Sequence, residues 1–112
     1  MLIHHKNLAP ERWYKFNLVE QLANVGSDVI RAINWKNKGD IENSRLALER
    51  ALELIDLTVS DPENKKRLKE ILRVREGLVD YFLFDNEYCS SDKIWENYFY
   101  DFNYAAAIRR GR

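Results

Sequence analysis

Arg75 is the residue whose placement bears most directly on chemistry. On a helical wheel of about 100° per residue it falls near the middle of the apolar arc made by Leu68, Ile71, Leu72, Leu78, Val79 and Phe82. An unpaired guanidinium in that arc would be very costly, so the position demands acceptors. Asp101 on the flank of a later helix, Asp56 and Glu53 on an earlier one, and the neutral phenol of Tyr98 are the candidates. The simpler arrangement is a buried ion pair that fixes helix register. The functional alternative is an anion-binding or catalytic site centred on Arg75.

Two basic clusters offer a second chemistry. Lys36 and Lys38 flank Asn37 beside Trp35, and Lys65, Lys66 and Arg67 follow one another. If turns at different helix ends lie side by side, these cations and the rings of Trp35 and Trp13 would make a stacking and phosphate-contacting patch. Asp40, Glu42, Glu63 and Glu70 are interspersed with them, so ordinary solvated helix ends are the favoured reading. His4 and His5 are adjacent, and adjacent side chains diverge. With no Glu-x-x-His pair or Cys/His set to complete a site, no metal is expected. Cys89 has no histidine near it in sequence and reads as a loop thiol. No two carboxylates share an apolar helix face, as acid/base catalysis in a bundle would require. No catalytic residue and no cofactor is therefore predicted.

Composition sets the frame around these residues. At 112 residues the chain is large enough for one core without disulfides or metals. Eighteen basic and eighteen acidic residues cancel, and the pI is near 6.7, so no overall field draws the protein to nucleic acid or an anionic membrane. A single cysteine, no apolar run approaching a bilayer span and no secretory leader predict a cytoplasmic protein.

Residues 1–9 read as a mobile leader and 10–112 as one four-helix domain. The first helix is expected from Pro10 or Glu11 to about Lys38, on Leu18, Leu22, Val25, Val29 and Ile33, with Gly39 as its stop. Asp40 caps the second, which carries one stripe through Leu48, Ala51, Leu52 and Ile55 and another through Leu46, Leu54 and Leu57. Asp61 and Pro62 restart the chain into a third helix reaching Phe84, where Gly77 marks a close crossing. Asp85 and Asn86 break it, and Ser91 or Asp92 caps the last helix. Short turns between four helices make antiparallel neighbours, so the predicted fold is all-α, an up-down-up-down four-helix bundle.

The last helix is the most unusual. Six of the ten positions from Trp95 to Tyr104 are aromatic, and each ring buries roughly 150–250 Å² when enclosed. Trp95, Tyr98, Phe102 and Ala105 share a side with Ile94, Tyr100 points nearly opposite, and Tyr104 lies at an edge. One small core cannot take both sides. Together with Leu46, Leu54 and Leu57, the residues Tyr100 and Tyr104 form a predicted interface for a second copy or another protein.

The stretches ERWYKFNLVEQLANVGSDVIRAINWKNKG, LERALELIDLTVSDP, RLKEILRVREGLVDYF and DNEYCSSDKIWENYFYDFNYAA resemble a group of short, uncharacterised prokaryotic proteins across nearly the whole chain. That resemblance implies a small helical protein and transfers no catalytic residue. A looser similarity is to HEPN-type helical bundles, many of which partner minimal nucleotidyltransferases or act as RNases. Their nuclease motif places a His a few residues after an Arg, whereas this sequence has no His after His5, leaving a non-catalytic partner role. GDIENSRLALERALELI resembles one helix of a tetratricopeptide repeat without a second copy. The favoured function is a non-enzymatic, homodimeric interaction module. The alternative is a nucleic-acid or nucleotide-associated protein.

Overall fold

The computed structural model describes residues 10–110, so the expected leader and both histidines lie outside the described residues. The described chain is all-helical, with α1 (Pro10–Trp13), α2 (Leu18–Asn37), α3 (Ile41–Ser60), a 3-10 segment (Pro62–Arg67), α4 (Leu68–Leu83) and α5 (Asp92–Arg110). Helix α2 packs against both α3 and α5, and α3 packs against α4 and the 3-10 segment.

The expected first rod is split. Asn17 Oδ1 accepts from Glu20 N at 3.0 Å, and Glu20 Oε1 accepts from Asn17 N at 3.1 Å, a reciprocal cap that starts α2 afresh at Leu18. The break lets the chain before it fold back and bury Trp13 at 3% exposure. Gly39, at φ +83°, takes the left-handed backbone that ends α2. Asp40 then caps α3, accepting from Asn43 N at 3.0 Å. The third helix also differs from expectation in its first turns, which wind as 3-10. Asn64 is drawn inward there to donate to Gln21 Oε1 at 2.8 Å and to the Thr58 carbonyl at 2.9 Å. Ahead of α5, Ser91 Oγ accepts from Ile94 N at 3.2 Å.

The core is one cluster. Helix α2 contributes Val25, Val29, Ala32 and Ile33, and α3 contributes Leu48, Ala51, Leu52, Leu54 and Ile55. Helix α4 adds Ile71, Val74 and Leu78, and α5 adds Trp95 and Phe99. Two glycines decide how closely α5 seats. A Cβ on Gly26 would lie 2.7 Å from the Phe99 Cβ, and one on Gly77 would lie 3.0 Å from Trp95 Cζ2. Gly26 thus marks a close approach of α2 and α5, whereas Gly77 is met by the tip of the Trp95 indole and not by the close helix crossing expected there. Among the described residues no helix is long and apolar enough to cross a membrane.

Candidate functional site

The buried-charge expectation for Arg75 is corrected. Its Nε donates to Asp56 Oδ1 at 2.8 Å, so one expected acceptor is present, but the side chains are 33% and 52% exposed. The buried face of α4 comprises Ile71, Val74, Gly77 and Leu78, while Leu72 is 44% exposed. This face is turned roughly a quarter of a revolution from the expected arc, because Gly77 contributes space for Trp95 and not an apolar side chain. Asp101 is exposed, Glu53 is half-buried, and Tyr98 donates to Glu70 Oε2 at 3.2 Å, away from Arg75. The five residues do not form one site.

The expected interface also divides. Leu54 is 4% exposed within the chain, and Leu46 and Leu57 are half-buried, because α3 lies between α2 and α4 and uses both of its apolar stripes internally. Tyr100 and Tyr104 remain 64% and 59% exposed, their rings stacked at 6.4 Å and 20°. Ile108, 41% exposed, continues the row at the same four-residue spacing. The opposite side of α5 buries Trp95, Phe99 and Ala106. Phe99 displaces Tyr98 from the centre of the expected face because Gly26 admits its ring.

The two basic clusters lie toward opposite ends of the molecule and form no common patch. Gln21, near the start of α2, is joined to Asp61 and Asn64, whereas Lys36, about 22 Å further along that helix, is joined to the start of α5. Lys36 Nζ donates to Asp92 Oδ1 at 2.7 Å and to Tyr81 OH at 2.9 Å, Tyr81 OH also donates to Asp92, and Asn37 donates to Asp92 Oδ2 at 3.1 Å. Burial works against the Asp92 carboxylate, but hydrogen bonds from Lys36, Tyr81 and Asn37 outweigh it and hold its pKa below the usual range. Burial likewise opposes the Lys36 ammonium, and Asp92 and Tyr81 outweigh it, raising that pKa. This cluster fastens three helix ends. Lys38 is exposed, with Nζ 5.3 Å from the Trp35 ring centroid.

Lys66 and Arg67 border a different feature, an open cleft of about 550 Å³ between α4 and α5. Its walls carry Lys66, Arg67, Lys69 and Arg73 against one carboxylate, Glu70, over Val74, Ile94, Trp95 and Tyr98. Glu70 Oε1 accepts from Arg67 Nε at 2.8 Å, and Glu70 Oε2 accepts from Tyr98, so the acid is already compensated. Burial, followed by the Glu70 charge, pushes the Tyr98 phenol upward, keeping it a neutral donor. The Trp95 indole N–H is sealed from solvent and has no acceptor among the described residues.

A buried polar node lay beyond the reach of sequence periodicity. Trp13 Nε1 donates to Thr58 Oγ1 at 3.1 Å, and Gln21 Nε2 donates to the Trp13 carbonyl at 3.2 Å and to Asp61 Oδ2 at 2.9 Å. Gln21 and Thr58 are wholly buried. Every member is bonded, so the node is structural and ties α1 to the 3-10 segment. Among the described residues no group of His, Cys, Asp or Glu is disposed to hold a metal.

Comparisons of the chain with protein-family models, with curated proteins and with solved structures give no match.

Proposed function

We propose that the protein is a non-enzymatic helical interaction module that pairs with a second copy of itself through the outer face of α5. The observation that carries this reading is the row Tyr100, Tyr104 and Ile108, apolar or aromatic at every fourth residue and exposed in the single chain. It spans about 12 Å along the helix, the size of a short helix–helix seam. A row of this kind suits an isologous contact, because two copies related by a two-fold axis present it to each other. Stacked tyrosines are well matched to such a surface, since they bring large contact area at low conformational cost. The reading takes the four long helices as an up-down-up-down bundle and the protein as cytoplasmic.

Light scattering on the full chain at two salt concentrations tests it. A dimer that salt does not weaken, converted to a folded monomer by Tyr100→Asp with Tyr104→Asp, is the expected result. A wild-type monomer, or a double variant of unchanged mass, would overturn it. The competing nucleic-acid or nucleotide reading predicts co-purifying nucleic acid that is released as salt rises.

A further inference from the structure

Beyond self-association, we infer that the cleft between α4 and α5 is a binding site for a small amphipathic anion: an apolar or aromatic body carrying one phosphate, sulfonate or carboxylate group. Its volume of about 550 Å³ lies within the range that accepts a drug-sized ligand. The floor is apolar, with Val74 and Trp95 each 7% exposed and Ile94 standing 53% exposed at the edge. The rim carries four cations against one carboxylate. Arg67 is committed to Glu70, but Lys66, Lys69 and Arg73 are exposed and have no anionic partner among the described residues. Glu70 does not cancel this charge, because Arg67 and Tyr98 already occupy its two oxygens.

The floor is rigid. Trp95 seats against Gly77, stacks on Phe99 with centroids 6.1 Å apart, and meets the edge of Tyr98 at 6.1 Å. A ligand's apolar body thus meets a preformed surface, and its anionic head reaches the Lys69 and Arg73 side of the rim, as charge complementarity requires. The site and the Tyr100 row occupy different faces of α5, so each stands or falls separately.

The test uses the full chain labelled with 15N and 1-naphthyl phosphate as probe, with inorganic phosphate and 1-naphthol as its separate halves. Three tryptophans give three indole N–H signals, and the Trp95 signal reports occupancy through the ring current of the bound naphthyl group. The expected result is a saturable shift of Trp95 with Trp13 and Trp35 stationary, and affinity roughly tenfold or more above either half. Lys69→Glu combined with Arg73→Glu lowers that affinity roughly tenfold or more while helical content is unchanged, and Tyr100→Asp with Tyr104→Asp leaves it unaltered. The inference is overturned by a Trp95 signal that does not move, by equal shifts at all three indoles, by full affinity in the charge-reversed variant, or by binding of a single-stranded oligonucleotide without binding of naphthyl phosphate.

Discussion

Helices α3 and α5 each carry apolar side chains on two faces, and the molecule uses them differently. Helix α3 lies between α2 and α4, so both stripes find partners inside the chain and Leu54 is enclosed. Helix α5 has its main contact with α2, seats Trp95 and Phe99 inward, and leaves Tyr100 and Tyr104 in solvent. Two-faced apolarity by itself does not say what covers a helix's second face. For α3 it is the same chain. For α5 the proposed neighbour is another copy.

The sharpest way to break this contrast is to place a charge on each second face. Leu54→Asp should abolish cooperative folding, because an unpaired carboxylate in the core costs several kcal/mol, comparable to the whole stability of a small domain. Tyr100→Asp should leave the circular-dichroism melt of the isolated chain nearly unchanged. A folded Leu54→Asp variant would show that the stripe through Leu54 is an outer surface after all.

Next in size is Phe99→Ala against Tyr104→Ala. Urea denaturation should show a loss of about 3–5 kcal/mol for the enclosed ring and about 0.5 kcal/mol or less for the exposed one when the chain is monomeric. Gly26→Ala should follow, at about 1–3 kcal/mol, since the added methyl meets the Phe99 Cβ, which cannot move without the α5 backbone. Arg75→Ala should cost no more than about 1 kcal/mol, because the pair with Asp56 is solvent-screened.

The pH response sharpens the contrast from the other end of α5. Asp92 has a depressed pKa in the folded chain, so its contribution is present above the unfolded value near pH ~4 and is lost as pH falls through the folded value. Lys36 is raised, so its contribution holds below about pH 10.4 and is lost as alkalinity increases. Denaturant midpoints measured from pH 7 downward should fall less steeply for Asp92→Asn than for the wild-type chain. An identical slope would remove the Lys36–Asp92 contact as the cause.

Helical identity and the stops at Gly39 and Asp61 were legible because capping residues and a left-handed glycine act locally. The cap at Asn17 was equally legible from Asn17 and Glu20, but the apolar period running toward Leu18 masked it. The orientation of α4 was not legible. Its buried face includes a glycine whose role exists only because Trp95 arrives from a distant segment, and a wheel of side-chain polarity gives that position no weight. The cleft was half visible: Lys66 and Arg67 stood out as a cluster, while Lys69 and Arg73 join them only through the path of α4 beside α5.

Gly26 and Gly77 receive rings from Phe99 and Trp95, two α5 residues one helical turn apart. The arrangement acts as a detent. Sliding α5 by one residue would drive aromatic rings toward Cβ-bearing neighbours, so intermediate positions along its axis are blocked on two sides at once. Helix α5 is therefore poorly suited to move as a piston. Any influence passing between its inner and outer faces would have to travel by tilting or by local unwinding, with the tyrosine row held at a fixed axial height.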